Sequence, residues 1–171
     1  MNDSDDLTAP PSTLQVLWAG FLLFGLTAAA AYAGAMVSQP GSWYASLQPP
    51  PGTPPNWVFG PVWTTLYILM AIAACRAWYF GAAHGLITAP AMTLYVAQLG
   101  LNAAWSWLFF GYHQMGWALV DIVVLWVLIL LTLLAFVRNA WSAGLLLLPY
   151  LCWVSYATYL NFGFWWLNPY S

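Results

Sequence analysis

The chain has 171 residues, of which 63% are hydrophobic and only 4% are charged: two arginines and four aspartates. Soluble domains carry about 25% charged residues, so this chain cannot cover a water-facing surface of ordinary polarity. The composition excludes a soluble globule, a disordered protein and a nucleic-acid-binding protein, because the basic surface that nucleic acids require is missing. We therefore expect an integral membrane protein whose solvent is the lipid bilayer.

The length and the pattern of apolar residues decide the kind of spanning structure. A spanning helix takes about 20 residues, so the chain has room for roughly five in a single domain. The apolar runs are continuous rather than alternating, which favours helices over a β-barrel. The predicted fold is an all-α membrane protein, a bundle of five transmembrane helices. The predicted helices cover residues 13–38, 56–80, 90–110, 117–137 and 141–164 of a domain at 13–166.

Three segments lie outside the predicted helices. Residues 1–12 are polar and acidic and are predicted to form a flexible tail, and residues 167–171 form a short C-terminal tail. Residues 39–61 hold seven of the twelve prolines, which favours an extended, irregular connection between the first two helices. Because this connection also carries Trp43 and Tyr44, we expect it to pack on the bundle as a lid.

The few charged residues bear on the topology. Five spans place the two termini on opposite sides of the membrane. Arg76 and Arg138 fall at the ends of the second and fourth predicted helices, and therefore on one side, which the positive-inside rule makes cytoplasmic. Asp121 is the single carboxylate within a predicted span. Three roles stay open for Asp121: a functional group, a carboxylate hydrated near the membrane interface, or a hydrogen-bond partner of a neighbouring helix.

Metal and redox chemistry find little support in the sequence. Cys75 and Cys152 have no metal-ligand spacing and are predicted to be small buried hydrophobic residues. His84 and His113 fall in loops at opposite ends of the predicted bundle. We therefore expect no metal site and no obligate cofactor.

The thirteen tryptophans divide by their depth in the predicted helices. Those near helix ends are typical of the aromatic belt at the membrane interface. Trp63, Trp105 and Trp153 lie deeper, and Tyr67 follows Trp63 by one turn. The first helix is rich in alanine and glycine over residues 28–35. Large rings that face small residues leave a slot suited to a flat apolar ligand, although plain packing of the rings is the alternative.

Polar residues follow one face of the third predicted helix. Gln98, Asn102 and Ser106 are spaced four residues apart. An amide in lipid needs a partner, so Asn102 is expected to face the interior of the bundle. There it either bonds another helix or anchors a ligand.

Several motifs resemble those of the TspO/MBR family, which includes the translocator protein and the bacterial tryptophan-rich sensory proteins. The resemblance runs in order along residues 43–161. The motifs are W-Y-x-x-L-x-x-P at 43–50, PPNWVFGPVWTTLY at 54–67, QLGLN at 98–102 with Trp105, FFG at 109–111, QMGWALVD at 114–121, and PYL-x-W at 149–153 continuing to Asn161.

The resemblance implies a five-helix bundle, homodimeric in many members, that binds hydrophobic small molecules. Those ligands are porphyrins such as protoporphyrin IX, benzodiazepine-type compounds and, in animals, cholesterol. Carried over position by position, the ligand site would be lined by Tyr44, Trp63, Tyr67, Asn102, Trp105, Trp117, Trp153, Ala157 and Leu160. Light-dependent porphyrin degradation is an alternative, with Trp63 and Trp153 as the oxidised side chains. Transport of porphyrin or sterol across the membrane is another.

Two departures from the family pattern bear on the ligand. Gln48 stands where the family commonly has lysine, so a porphyrin carboxylate lacks one cationic partner. No tyrosine or basic residue follows Asn161 where the animal cholesterol motif has them. The predicted protein is a multi-pass receptor in contact with lipid. A bacterial membrane and the mitochondrial outer membrane both fit the sequence.

Overall fold

The computed structural model describes residues 10–38, 41–86 and 88–169. These residues form helices and connecting turns with no strand among them, which confirms the all-α prediction. Most of the predicted N-terminal tail and the last two residues lie outside the described ranges. In chain order the helices are α1 (Thr13–Ala35), α2 (Ser42–Ser46), α3 (Phe59–Ala83), α4 (Ala89–Ser106), α5 (Met115–Asn139), α6 (Trp141–Leu145) and α7 (Leu148–Leu167).

Four helical stretches of the described residues are long and apolar enough to cross a membrane. They are Thr13–Ala35, Asn56–Ala83, Met115–Asn139 and Trp141–Leu167. The helix α4 is the remaining long helix and is less apolar, because it carries Gln98, Asn102 and Ser106. A multi-pass membrane protein is therefore established by four helices, whereas the predicted five-span count depends on α4.

The observed helices depart from the predicted bounds where the backbone requires it. The first helix ends at Ala35 and not at Ser38. The predicted helix at 141–164 is divided between α6 and α7, and Pro149 occupies the first turn of α7. Proline is tolerated in a first turn because that N–H needs no partner within the helix. The third predicted helix ends as a π-helical turn at Trp107–Gly111.

The helices pack around one apolar core. The helix α5 lies against α4 and α7, and α1 lies against α3 and α4. Met70, Ile129 and Phe136 are completely buried in this core. The hydroxyls of Thr27 on α1 and Tyr95 on α4 share a hydrogen bond of 2.6 Å, which joins the two helices inside the apolar region.

Arg76 and Arg138 lie at the same end of the bundle, as the sequence predicts. The guanidinium of Arg76, near the end of α3, donates from Nη2 to the Oγ atom of Ser142 over 2.9 Å. Arg138 lies in the last turn of α5, and Ser142 lies in the first turn of α6, which begins two residues after α5 ends. The packing of the helices therefore brings the two basic residues of the chain to one face.

The cysteine prediction is wrong in part. Cys152 is exposed on α7 and Cys75 is half-buried on α3, and both are free thiols. A helix that faces lipid can expose a small apolar side chain at no cost, so a hydrophobic residue in a span need not be buried in the protein.

Candidate functional site

A cavity of about 540 Å³ lies between α1, α3, α4 and α7 and is closed on one side by Tyr44 of α2. Ligand sites commonly enclose about 300–1,000 Å³. The lining contains aromatic rings, small residues and a few hydroxyl and amide groups, and it contains no charged residue. The lining residues are Ala31, Gly34, Ala35, Ser38, Tyr44, Asn56, Phe59, Gly60, Trp63, Thr64, Tyr67, Ile68, Trp105, Ser106, Phe110, Trp153 and Ala157.

The helix α1 contributes the small-residue wall that the sequence predicts. Ala31, Gly34 and Ala35 of α1 line the cavity at positions i, i+3 and i+4, which is one face of a helix, and Ser38 lines it just beyond the end of α1. A Cβ atom added to Gly34 would lie 3.2 Å from the Oγ atom of Ser106 on α4. Glycine at this position therefore allows α1 to approach α4 closely beside the open space.

Aromatic rings of α3 and α7 form the opposite wall. The rings of Trp63 and Tyr67 are tilted by 32° with centroids 5.5 Å apart. The edge of Trp63 also meets the buried ring of Tyr150, at 6.2 Å. Phe59 contacts Trp153 edge-to-face at 6.0 Å. These contacts hold the rings in fixed orientations and present flat apolar surface to the cavity.

A buried hydrogen-bond chain runs from the cavity wall into the bundle. The hydroxyl of Tyr67 donates to Oδ1 of Asn102, and Nδ2 of Asn102 donates to the hydroxyl of Tyr150 over 2.9 Å. Tyr150 in turn donates to Oε1 of Gln98 over 3.0 Å. The chain joins α3, α4 and α7 and fixes the Tyr67 hydroxyl at the cavity surface. Asn102 thus acts behind the wall and does not itself line the cavity.

A second polar contact fixes Trp105. Its indole Nε1 donates to Oδ1 of Asn161 over 2.9 Å, and Nδ2 of Asn161 donates to the carbonyl oxygen of Met115 over 2.9 Å. Asn161 is almost completely buried, and its amide therefore has both kinds of partner that a buried amide requires. The indole of Trp105 is held between α4, α5 and α7.

The segment at 41–58 packs against the bundle at two places. The ring of Tyr44 lies 5.6 Å from that of Phe110 and 5.3 Å from that of Phe164. Burial among these rings raises the pKa of Tyr44, so its hydroxyl stays neutral. Farther along, the hydroxyl of Tyr156 donates to the carbonyl of Gly52 over 2.6 Å.

Other contacts hold the same segment to α7. The hydroxyl of Tyr159 donates to the carbonyl of Pro51 over 3.0 Å. The backbone N–H of Gln48 donates to Oδ1 of Asn168 over 2.8 Å. A Cβ atom added to Gly163 would lie only 2.5 Å from the Cβ atom of Pro50, so glycine is required for this close approach. The connection between α1 and α3 is thus tied to α7 over most of its described length.

The structure brings six of the nine predicted lining residues together. They are Tyr44, Trp63, Tyr67, Trp105, Trp153 and Ala157. Leu160 is buried away from the cavity, at 6% exposure. Trp117 does not line the cavity. It is 66% exposed, because the buried stripe of α5 passes through Met115 and Ala118 and leaves Trp117 on the outer face.

Sequence reasoning missed part of the lining. Phe59, Phe110 and Ser106 face the cavity and were not singled out as ligand-site residues. Ser106 lies on the predicted polar face of α4, so its spacing from Asn102 could have identified it. Phe110 belongs to the π-helical turn, where the helix register changes, and the spacing along a regular helix does not place it.

The charged and metal-ligating residues lie elsewhere. Asp121 is half-buried on α5, and its Oδ2 atom has no hydrogen-bond partner among the described residues. No group of three or more potential metal-ligating side chains occurs within the described ranges. The arrangement at the cavity therefore offers stacking surface, two tyrosine hydroxyls and oxidisable indoles rather than acid–base or nucleophilic chemistry.

Comparison with known proteins gives the family. The sequence model described as "TspO/MBR family" matches residues 19–167. The chain is 45% identical to the tryptophan-rich protein TspO of Chlorobaculum tepidum over 150 residues, which cover 86% of this chain and 94% of the relative. It is 36% identical to protein CrtK of Rhodobacter capsulatus over 149 residues, which cover 87% and 92%.

The similarity extends to animal proteins. The chain is 43% identical to the human translocator protein over 124 residues, which cover 72% of this chain and 73% of the relative. The match to the family model at residues 19–167 includes most of α1 and the other helices that enclose the cavity. With its apolar spanning helices, the chain belongs to the TspO/MBR family of multi-pass membrane proteins.

Proposed function

We propose that this chain is a membrane receptor that binds porphyrins such as protoporphyrin IX, and similar flat hydrophobic molecules, in the cavity between α1, α3, α4 and α7. The observation that carries the proposal is the cavity itself: about 540 Å³, walled by aromatic rings on one side and by small residues of α1 on the other. A slot of this shape and polarity favours a flat apolar molecule. Relatives are named "Translocator protein" and "Tryptophan-rich sensory protein".

The polar groups at the cavity suggest how such a ligand is held. The uncharged lining supplies no cation for the propionates of a porphyrin, and Gln48 is tied through its backbone to Asn168. Recognition therefore depends on stacking against Trp63 and Trp105 and on hydrogen bonds to tyrosine hydroxyls. The same lining accepts benzodiazepine-type ligands and sterols, which need no ionic partner.

The proposal includes the membrane topology. In the receptor α4 is the fifth span, because its polar side chains turn inward and bond other helices. Asn102 bonds Tyr67 and Tyr150, Gln98 accepts from Tyr150, and Tyr95 bonds Thr27. The segment at 41–58 acts as the lid over the cavity. Gly100 and Ala104 on α4 supply a small surface for a homodimer, and Gly100 is open to a second copy. The receptor resides in a bacterial membrane or the mitochondrial outer membrane.

Quenching of tryptophan fluorescence by protoporphyrin IX in detergent tests the binding function. We expect saturable quenching, and about a tenfold higher Kd for Trp63→Leu, because the main stacking surface is lost. Trp141→Leu is the matched control, since Trp141 is 70% exposed at the start of α6, far from the lining. Absence of saturable quenching by the unsubstituted chain would refute the receptor function, and equal Kd values for the two variants would refute this site.

A second candidate function is light-dependent oxidation of the bound porphyrin. The specific observation is that Trp63 and Trp153 both line the cavity, within contact distance of any occupant. In this reaction the excited porphyrin takes one electron from an indole and passes it to dioxygen, which becomes superoxide. The indole radical cation then regains an electron from the porphyrin, and superoxide combines with the resulting porphyrin radical cation, so that one dioxygen is added to the porphyrin. Product formation in light and air should fall strongly in Trp63→Phe/Trp153→Phe and should stop in the dark or under argon. An unchanged rate in the double variant would leave binding as the function.

A further inference from the structure

A second hollow lies on the outer side of the seam between α3 and α7. It measures about 570 Å³ and is nearly all apolar. We call it the α3–α7 groove. Its lining residues are Pro61, Val62, Thr65, Leu66, Leu69, Pro149, Cys152, Trp153 and Tyr156. Several of these side chains, including Cys152, are exposed on spanning helices and thus face the lipid.

The groove and the cavity meet at one side chain. Trp153 lines both hollows, and no other described residue does. On α3, Val62 and Leu66 face the groove, while Trp63 and Tyr67 face the cavity. The two hollows therefore lie on opposite sides of the line along which α3 and α7 approach each other, and the indole of Trp153 stands between them.

The seam at Trp153 is weakly held. The helices α3 and α7 make little contact with each other, whereas α7 packs extensively against α5. The indole Nε1 atom of Trp153 is buried and has no hydrogen-bond partner in the described part of the chain. By contrast, the indoles of Trp105 and Trp126 each donate a hydrogen bond to α7. Rotation of Trp153 breaks no hydrogen bond of its indole and disturbs only apolar packing, which includes ring contacts with Phe59 and Tyr156.

The opposite approach to the cavity is more strongly closed. Tyr44 covers the cavity from the segment at 41–58, and Tyr156 and Tyr159 tie that segment to α7 through hydrogen bonds of 2.6 and 3.0 Å. A hydrophobic ligand also partitions into the acyl region of the bilayer rather than into water. Both the higher concentration of the ligand and the weakly held α3–α7 seam therefore lie on the membrane side.

We propose that the α3–α7 groove is the lateral route by which a flat hydrophobic ligand passes from the acyl region of the bilayer into the cavity, and that the indole of Trp153 is its gate. This inference rests on the proposed binding function. It assigns a role to a surface outside the ligand cavity, and it predicts how changes to that surface alter the rates of binding and release. An obstruction in the groove slows binding and release together and leaves the equilibrium affinity unchanged.

Stopped-flow fluorescence quenching with protoporphyrin IX, on the full chain in lipid nanodiscs, tests the route. We substitute Cys152→Phe and, separately, Thr65→Phe, because these exposed residues line the groove from opposite helices and do not line the cavity. We expect association and dissociation rates to fall together by about tenfold, with Kd constant within about twofold. Val123→Phe is the matched control, since Val123 is exposed on α5 outside both hollows.

Each other outcome overturns the route in a distinguishable way. Wild-type rates in both groove variants mean that the ligand enters elsewhere. A raised Kd with an unchanged association rate means that the groove belongs to the binding site and is not a passage. Equal slowing by Val123→Phe means that the effect is general to the lipid-facing surface. Absence of saturable quenching by the unsubstituted chain overturns the proposed function as well as the route.

Discussion

Trp105 donates its indole N–H to Asn161 over 2.9 Å, and Asn161 passes the contact on to the carbonyl of Met115 over a further 2.9 Å. A side chain that lines the cavity is thus oriented by a residue that does not line it. We expect Asn161→Leu to release the indole and to raise the Kd for protoporphyrin IX about fivefold, which corresponds to about 1 kcal/mol. Titration of tryptophan quenching measures the change.

Ser155→Ala provides the control for Asn161→Leu. Ser155 also lies on α7 and accepts an indole hydrogen bond, from Trp126 over 2.8 Å, but Trp126 does not line the cavity. Both substitutions remove an indole acceptor, so both lower stability, and only Asn161→Leu should weaken binding. A similar rise in Kd for Ser155→Ala would show that the loss reflects general loosening of α7.

The interior aromatic residues were predictable because depth in a span follows from position in the sequence. Trp63, Trp105 and Trp153 lie far from the helix ends, and all three line the cavity. The small-residue wall of α1 was predictable from the run of alanine and glycine at residues 28–35. Asn102 was predictable as an inward-facing residue, because an amide in lipid needs a partner. Its role behind Tyr67 was not, since the sequence does not show which hydroxyl it meets.

The rotation of α5 about its own axis explains why Trp117, predicted as a ligand-site residue, does not line the cavity. Apart from Asp121 and, in its last turn, Arg138, the helix α5 is almost entirely apolar, so no continuous polar face marks its orientation toward lipid. The buried stripe through Met115, Ala118 and Ile122 is set by packing against α4 and α7, and Trp117 falls outside it. The register change at Trp107–Gly111 and the break before Leu148 depend likewise on local backbone geometry that hydropathy does not report.

The close approach of Gly163 to Pro50 gives a prediction about the segment at 41–58. In Gly163→Ala the new Cβ atom would lie 2.5 Å from that of Pro50, so the turn must move away from α7. We expect faster protease cleavage within this segment and a higher rate of porphyrin release. Gly25→Ala is the control, because Gly25 is exposed on α1 and nothing lies within 4 Å of the added atom. Unchanged cleavage in Gly163→Ala would show that the contact does not hold the segment down.

The small-residue wall of α1 gives a prediction about cavity volume. Ala31 faces the cavity, whereas Ala29, two residues earlier, is exposed on the opposite side of the same helix. Ala31→Leu adds side-chain volume inside the slot, and we expect the Kd for protoporphyrin IX to rise at least tenfold with little loss of thermal stability. Ala29→Leu adds the same atoms on the lipid side and should leave Kd unchanged. Equal Kd values in the two variants would place the ligand away from α1.

The chain from Tyr67 through Asn102 to Tyr150 gives a prediction that separates stability from binding. Asn102→Leu preserves the side-chain shape but removes the acceptor for Tyr67 and the donor to Tyr150. Hydrogen bonds between helices in membranes are each worth about 0.6 kcal/mol on average and at most about 1.7 kcal/mol. Because two are lost, we expect the free energy of unfolding in detergent to fall by about 1–2 kcal/mol.

The same substitution should also change binding, because the Tyr67 hydroxyl at the cavity surface loses its fixed orientation. Thr93→Val is the control on α4, since Thr93 is exposed and its hydroxyl bonds only the carbonyl of Ala89 in its own helix. We expect Thr93→Val to leave both stability and Kd unchanged. If Asn102→Leu lowers stability and leaves Kd unchanged, these hydrogen bonds serve only to join α3, α4 and α7. If it changes both, the buried amide also orients the site, because Tyr67 lines the cavity and the other hydrogen-bond partner, Tyr150, does not.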